Sequence, residues 1–156
     1  FFGQDVPEKI NRGEILTMNK RNTVLLEFSP SDSYDYIRQG VQQVQMTGNQ
    51  VIIAHAERYQ CLLDDIGYAE ELCDMGASIQ VNAGSIIGDG GRRAKKFVKE
   101  LMDEDMVFGV GTDAHGVHTR APKMKKAADY VKKKYGEEYM RRIFFDNAAT
   151  LLRKRK

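Results

Sequence analysis

The sequence has little cysteine and no long apolar run. Its two cysteines, Cys61 and Cys73, do not make a disulfide scaffold, and we expect both thiols to be reduced. The Cys-dependent phosphatases need an arginine six positions after the nucleophile, where Gly67 and Ile79 stand here, so that chemistry is excluded. No apolar stretch approaches the roughly 18 residues of a membrane span, and no signal peptide opens the chain. These absences predict a soluble, cytoplasmic protein without membrane insertion.

An excess of charge of one sign is also lacking. The 24 basic and 22 acidic residues leave a formal charge of +2, which gives no reason to expect a nucleic acid or a membrane surface as partner. Only residues 153–156 (RKRK) are one-sidedly basic, and we expect them to form a solvated tail. With 42% hydrophobic residues and no linker or repeat, residues 1–156 are predicted to form a single domain.

Apolar patterns of strand and helix type alternate along the chain. Strands are predicted at 23–28, 51–54, 78–81 and 106–110, and a short run at 143–145 fits a further strand. Helices are predicted after a cap at Ser31 or Asp32, after a cap at Asp65, from Arg92, after Pro122 and from Asn147, with a turn at 19–22 and a flexible connection at 84–91. This alternation predicts an α/β fold with parallel strands, in a barrel or in an open doubly wound sheet.

Unusual polar residues follow the predicted strands. Glu27 ends the first strand, His55 follows the second, and Asn82 follows the third. Asp113 and His115 follow the fourth strand, two positions apart. The carboxyl ends of parallel strands share the edge that holds active sites in α/β proteins. Carboxylate and imidazole groups without thiolate suit manganese, iron or zinc, so a metal site is the leading hypothesis for this edge.

Other interpretations of the same residues remain open. An Asp-x-His pair often satisfies only local hydrogen bonds, and Glu27 could form an ion pair with Arg58 or Arg120. Both arginines lie a few residues beyond a proposed ligand, where a guanidinium could bind phosphate oxygens or belong to a surface ion pair. His118 is expected in solvent or near the substrate.

Eight segments carry a resemblance to a known family. They are GQDV, GEILTMN, LLEF, VIIAHAERYQ, ELCDMGASIQVNAGSIIG, GRRAKKFVKEL, VGTDAHGVHTRAPKM and KKYGEEYMRRIFFDNAATLL. In their order and spacing the chain resembles the manganese-dependent bacterial protein-tyrosine phosphatases of the CpsB/CapC type, in the PHP metallophosphoesterase superfamily. The resemblance implies a distorted seven-stranded (β/α) barrel with parallel strands, of which this chain is the C-terminal portion.

The resemblance also implies an activity and a set of site residues. The expected metal ligands are Glu27, His55, Asp113 and His115, the expected phosphate-binding residues are Arg58 and Arg120, and the expected catalytic residues are Arg58, Arg120 and Asp113. A manganese cluster, with iron, zinc or another divalent ion as alternatives, would direct hydroxide at phosphorus without a covalent intermediate. The implied substrate is phosphotyrosine on an autophosphorylating bacterial tyrosine kinase that controls capsule or exopolysaccharide synthesis.

The chain departs from the family pattern at two points. Ala56 stands where the family usually has proline, and the sequence contains no His-x-His segment. Together with the start at Phe1, this leads us to expect an N-terminally incomplete domain whose open strand edge could support a homo-oligomer. Two alternatives follow: a PHP-type phosphoesterase acting on a small phosphate ester such as histidinol phosphate, and a non-catalytic fragment.

Overall fold

The computed structural model describes residues 1–18, 22–114, 116 and 123–152. The strands are β1 (Thr23–Leu26), β2 (Gln50–Ile53), β3 (Ser78–Asn82) and β4 (Val107–Gly111). The α-helices are α1 (Val6–Asn11), α2 (Tyr34–Met46), α3 (Gln60–Asp64), α4 (Gly67–Asp74), α5 (Ala83–Ile87), α6 (Gly91–Asp103), α7 (Met124–Tyr135), α8 (Glu137–Arg141) and α9 (Asn147–Leu152). A 3-10 turn covers Ala56–Arg58 and a π-helix covers Arg142–Asp146. Within the described ranges no helix combines the length and apolar character that a bilayer span requires.

The strands form one parallel sheet in the chain order β1-β2-β3-β4. Leu26 lies opposite Ile53, Ile53 opposite Ile79, and Asn82 opposite Gly111. The predicted α/β class with parallel strands is therefore confirmed, and each predicted strand at 23–28, 51–54, 78–81 and 106–110 matches an observed one. Because the strands run in one direction, their carboxyl ends meet at one edge of the sheet.

The apolar stripe of α2 explains why this helix forms where the spacing predicts it. Ile37, Val41 and Val44 recur at intervals of four and three residues and are completely buried, and the helix packs against β2. The predicted cap is wrong by one or two residues. Ser33 caps the helix, since its side chain accepts a hydrogen bond from the Tyr36 amide at 3.3 Å.

The residues predicted to cap α2 and α4 have other roles. The carboxylate of Asp32 accepts a hydrogen bond from the Ser29 amide at 2.8 Å, which closes the loop before α2. Asp65 accepts a bond from the Gly67 amide at 2.9 Å, although Ile66 is the residue that directly precedes α4. Both aspartates thus stabilise turns that lead into a helix.

Two regions differ from the predicted structure. The predicted connection at 84–91 contains the buried helix α5, because Ser85 and Ile86 pack inward before Gly88 ends the helix with a φ of 103°. The predicted strand at 143–145 is wrong. Ile143 and the residue after it are both buried, which a helical turn allows and the alternation of a half-buried strand does not.

The remaining predictions concern helices and segments that lie outside the described residues. The helices predicted from Arg92, after Pro122 and from Asn147 correspond to α6, α7 and α9, whereas α1 and α3 were not predicted. Most of the predicted turn at 19–22, Pro122 itself and the basic run at 153–156 lie outside the described residues. The fold around the sheet edge is nevertheless complete enough to place most of the proposed site.

Candidate functional site

Glu27 and His55 meet at the carboxyl edge of the sheet. Each follows the end of its strand, and the register of β1 and β2 brings His55 Nε2 to 2.7 Å from Glu27 Oε1. The His55 side chain is 9% exposed and the Glu27 side chain 35% exposed, so the pair lies at the boundary of core and solvent. The other ring nitrogen, His55 Nδ1, is buried and has no hydrogen-bond partner among the described residues.

The backbone of His55 is held in a rare conformation. Its φ of 35° lies in the left-handed region, which non-glycine residues seldom adopt. The His55 amide donates a hydrogen bond to the Gln80 side chain at 2.9 Å, so a residue of β3 supports the turn after β2. The sharp turn directs the imidazole toward Glu27.

Tyr59 ties the ends of β1 and β2 together. Its hydroxyl accepts a hydrogen bond from the Phe28 amide at 3.2 Å and donates one to the Ala54 carbonyl at 2.9 Å. The residue is completely buried, and burial raises the pKa of the Tyr59 hydroxyl. Because Phe28 and Ala54 are the chain neighbours of Glu27 and His55, this hydroxyl helps to fix the separation of that pair.

Arg58 and Asp113 form a second pair at the same edge. Arg58 ends the 3-10 turn after β2 and donates a hydrogen bond to Asp113 Oδ2 in the loop after β4. Asn82, at the end of β3, approaches the same oxygen with its side-chain amide at 3.4 Å. In the described part of the chain Glu27 pairs with His55, so the suggested ion pair of Glu27 with Arg58 is not the one that forms.

Glu57 is a site residue that the sequence did not reveal. Its side chain is almost completely buried, and Oε1 accepts hydrogen bonds from the Asn82 amide at 3.0 Å and the Ser85 hydroxyl at 2.8 Å. Burial raises the pKa of Glu57, and the hydrogen bonds from Ser85 and the backbone oppose this effect. Its Oε2 atom is buried without a hydrogen-bond partner among the described residues. The signal in the sequence was a glutamate directly before Arg58.

A cavity of about 530 Å³ opens at this edge. Arg58, Asp113, Asn82 and Glu57 contribute to its wall, together with the first turn of α5 and the start of α6. Lys123 and Asp89 also line the cavity, with Lys123 Nζ 2.6 Å from the Asp89 carboxylate. The cavity thus combines cationic, amide and carboxylate groups, and its volume is in the range typical of sites for small ligands.

The donor groups suit a divalent cation, but only part of the predicted set is described. Glu27 and His55 offer an oxygen and a nitrogen donor side by side. No group of three or more His, Cys, Asp or Glu side chains within the described ranges is arranged to hold a metal ion. His115, Arg120 and His118 lie outside those ranges. The structure therefore brings together Glu27 with His55 and Arg58 with Asp113, and it does not join Asp113 to Glu27 and His55 in one such group. The roles predicted for all of these residues stay predictions.

Comparisons with known proteins give a consistent result. The family model described as "Capsular polysaccharide synthesis, CpsB/CapC" matches residues 1–153. The chain is 32% identical over 157 residues to tyrosine-protein phosphatase CpsB of Streptococcus pneumoniae, covering 97% of this chain and 65% of the relative. It is 28% identical over 149 residues to tyrosine-protein phosphatase YwqE of Bacillus subtilis, covering 96% of this chain and 58% of the relative.

A solved structure supports the same relationship. It belongs to a study of YwqE from Bacillus subtilis and CpsB from Streptococcus pneumoniae, which that study describes as unique metal-dependent tyrosine phosphatases. The superposition has a TM-score of 0.81 at 27% identity and covers 90% of this chain and 56% of the other. The chain spans 65% or less of the length of the relatives named here.

Proposed function

The chain belongs to the CpsB/CapC family of capsular polysaccharide synthesis, and we propose that it carries catalytic residues of a metal-dependent protein-tyrosine phosphatase. The observation that carries this proposal is the presence of two residue pairs at one sheet edge. Glu27 with His55 offers metal donors, and Arg58 with Asp113 places a guanidinium at a cavity. The names of the relatives supply the reaction class.

We assign the metal to Glu27, His55, Asp113 and His115, with manganese as the expected ion. The mixed carboxylate and imidazole set is the support for this assignment, since it matches the preference of borderline and moderately hard divalent ions. The partnerless, buried Nδ1 atom of His55 shows that this ring has a nitrogen that no described hydrogen bond occupies. When bound, a divalent cation supplies Lewis-acid polarisation of the phosphate ester.

Arg58 and Arg120 are proposed to bind the phosphate. A guanidinium has five N-H donors, so Arg58 can keep its bond to Asp113 and still offer donors to two phosphate oxygens. The Arg58 side chain is 38% exposed, which leaves it open toward the cavity. Donors held in place before the substrate arrives stabilise the charge that builds on the equatorial oxygens.

Asn82 and Glu57 orient Arg58 and Asp113. Asn82 approaches Asp113 with its side chain and donates its own amide hydrogen to Glu57. Glu57 thereby connects the turn that carries Arg58 to the end of β3 that carries Asn82. The chain of contacts fixes the direction of the Arg58 guanidinium at the cavity wall.

Phosphotyrosine is the proposed substrate, on an autophosphorylating tyrosine kinase that controls capsule or exopolysaccharide synthesis. A phenolate, with a reference pKa of about 10, leaves far more readily than an alkoxide, so the site needs little general-acid assistance. We further propose that the four strands are part of a seven-stranded PHP barrel in one domain. The parallel order β1-β2-β3-β4 supports this proposal because a barrel extends the same arrangement.

The test is phosphate release by the complete gene product. With manganese present, we expect release from a phosphotyrosyl peptide and its loss in Asp113→Ala. Histidinol phosphate is the comparison substrate, and a higher kcat/KM for it would favour a small-molecule phosphoesterase. Absence of metal-dependent release from every phosphoester tried would refute the proposal.

A further inference from the structure

A groove of about 290 Å³ lies between α6 and α7, outside the site described above. Ile86 and Met102, both nearly completely buried, and the partly buried ring of Tyr130 form its apolar lining. These side chains belong to α5, α6 and α7, so three helices shape the groove. Such a surface can accept an apolar or aromatic side chain of a partner.

Four basic residues of α6 complete the lining of the groove. They are Arg92, Lys95, Lys96 and Lys99, and no carboxylate is among the described residues that line it. The whole chain has a net charge of only +2, so this concentration of positive charge is local. An anionic partner therefore experiences attraction here that the protein as a whole does not provide.

The cations of the groove differ in their partners. Lys96 forms an ion pair with Glu100 at 3.4 Å, and Lys99 forms one with an aspartate a helical turn away. Arg92 and Lys95 have no ion-pair partner in the ranges that the structure describes, while Lys95 Nζ lies 5.8 Å from the centre of the Tyr130 ring. Their charge is therefore available to a ligand.

The groove is adjacent to the proposed phosphatase cavity. Ser85 lines the cavity and its neighbour Ile86 lines the groove. In the same way Ala94 lines the cavity and Lys95 the groove, so α5 and the first turns of α6 form a shared wall. A wall of one helix is about 10 Å thick, a distance that about three extended residues span.

We propose that this groove binds an acidic segment of the phosphotyrosyl polypeptide, about three or more residues away from the phosphotyrosine in the cavity. The inference rests on the proposed function. It adds that the enzyme selects substrates with an acidic segment near the phosphotyrosine. Charge complementarity favours carboxylates, and the apolar lining favours a polypeptide, whose side chains can fill it. A phosphate-only ligand would leave that lining unused.

Charge reversal at Arg92 and Lys95 tests the groove without endangering the fold. Arg92 is the second residue of α6, where a glutamate interacts favourably with the helix dipole. Glutamates at these two positions would also stand four residues before Lys96 and Lys99, a favourable spacing for ion pairs. The variant R92E/K95E is therefore expected to fold like the wild type.

A matched control changes the same charge elsewhere. Arg12 and Arg141 are at least 60% exposed and line neither the cavity nor the groove. The variant R12E/R141E alters the net charge by the same amount as R92E/K95E. A difference between the two variants thus reports position rather than total charge.

In the first measurement, fluorescence anisotropy reports the binding of a labelled, unphosphorylated acidic peptide to the complete gene product. We expect R92E/K95E to weaken binding about tenfold at low salt, with a smaller effect at high salt, and R12E/R141E to change it less than twofold. Equal binding by wild type and R92E/K95E would overturn the inference. Stronger competition for the labelled peptide's site by anionic lipid vesicles or by an oligonucleotide, compared with unlabelled peptide at equal charge, would also overturn it.

The second measurement is kcat/KM for three substrates: a phosphotyrosyl peptide with acidic flanks, one with neutral flanks, and free phosphotyrosine. Loss in R92E/K95E confined to the acidic peptide supports the inference, and equal loss for all three substrates contradicts it. Absence of phosphatase activity would refute the proposed function. The anisotropy result would then still decide whether the groove binds acidic polypeptide.

Discussion

Arg58 and Asp113, 55 positions apart in the chain, are joined by a hydrogen-bonded ion pair at the wall of the cavity. The pair connects the turn after β2 with the loop after β4, and Asn82 of the intervening strand approaches the same carboxylate. Three neighbouring strands therefore contribute to the position of one guanidinium. This arrangement makes the geometry of Arg58 sensitive to each of its supports.

Replacing Arg58 should reduce phosphate binding and turnover. In Arg58→Lys the charge remains but the planar fork is lost, and in Arg58→Ala both are lost. We expect kcat/KM for a phosphotyrosyl peptide to fall by about 10²- to 10³-fold in Arg58→Ala and by less in Arg58→Lys, as for other preorganised donors to a transition state. Steady-state kinetics with manganese measure both effects.

Arg93 provides the control for Arg58. It forms an ion pair with Asp64, is 54% exposed and does not line the cavity. Arg93→Ala should change kcat/KM less than twofold, because Arg93 lies outside the cavity and its exposed ion pair contributes little to the stability of the fold. Equal losses in the two alanine variants would indicate a general effect of lost positive charge and contradict the assigned role of Arg58.

Metal content should depend on Glu27 and His55. Either Glu27→Ala or His55→Ala removes a donor from the proposed set, so the complete gene product should retain less manganese per chain after dialysis. Elemental analysis measures this directly. Addition of manganese should also raise the melting temperature of the wild type more than that of either variant, because only a bound ion stabilises the folded state.

Glu71 is a suitable control for the metal experiment. Its carboxylate accepts a hydrogen bond from the Tyr34 hydroxyl at 2.6 Å on the surface. Glu71→Ala removes a carboxylate without touching the proposed ligands, so its manganese content should equal that of the wild type. Unchanged manganese in Glu27→Ala and in His55→Ala would contradict the assignment of both ligands.

Glu57 should matter for stability through its Oε1 atom. Glu57→Ala leaves the Asn82 amide and the Ser85 hydroxyl without their acceptor in a buried position, at an expected loss of about 1–3 kcal/mol in the free energy of unfolding. Glu57→Gln keeps an oxygen acceptor and should lose less. Urea unfolding measures the difference, and a larger loss in Glu57→Gln than in Glu57→Ala would contradict this account.

The Tyr59 hydroxyl should also contribute to stability. Tyr59→Phe leaves the buried Phe28 amide unpaired, and we expect a loss of about 1–3 kcal/mol in the free energy of unfolding. Tyr68 is the matched control, because its ring stacks on that of Tyr34 with the ring centroids 4.0 Å apart and its hydroxyl makes no hydrogen bond to Phe28 or Ala54. Similar urea midpoints for Tyr59→Phe and Tyr68→Phe would show that the hydroxyl does not link the strands as described.

Cys73 should react slowly with alkylating reagents. Burial raises the pKa of its thiol from the ordinary 9.0 to about 11, with help from the charges of Asp74 and Glu70. At pH 8 the folded protein should thus contain about a hundredfold less thiolate at this position than the unfolded chain. Iodoacetamide labelling of Cys61→Ser, with and without urea, measures the ratio, and equal rates would contradict the raised pKa.

The same thiol gives the sign of a pH effect on stability. Because the folded state holds the proton more tightly, the contribution of Cys73 is fully present below pH 9 and is lost as the pH rises toward about 11. Cys73→Ala should therefore show a smaller decline in urea midpoint between pH 9 and 10.5 than the parent protein. A decline of the same size in both would exclude this thiol as its source.

The periodicity of apolar residues predicted most of the fold. The stripe that contains Ile37 and Val41 identified α2, and β-branched runs identified all four strands. The strand order and the register depend on contacts between distant segments, which local pattern does not contain. The run that includes Ile143 shows the limit, since a short apolar run in a sequence fits a short strand and a helical turn equally well.

The candidate site was predictable only in part. That Glu27, His55 and Asp113 would lie at one edge follows from strand direction, which composition and spacing indicate. Their pairing does not follow, because it depends on the left-handed turn at His55 and on the reach of Arg58. The role of Glu57 was missed because burial of a carboxylate is set by the packing of α5, a helix that the sequence did not reveal.

His55 and Asp113 both have left-handed backbone, with φ values of 35° and 46°. Selection for stability and selection for the functional side chain therefore favour different residues at these two positions. Such conformations cost about 1–3 kcal/mol in residues other than glycine. Glycine at either position would relax the chain, yet would remove an imidazole or a carboxylate from the carboxyl edge of the sheet. Laboratory evolution for heat tolerance alone is therefore expected to replace these two residues early, and the proposed phosphatase activity should be lost with them.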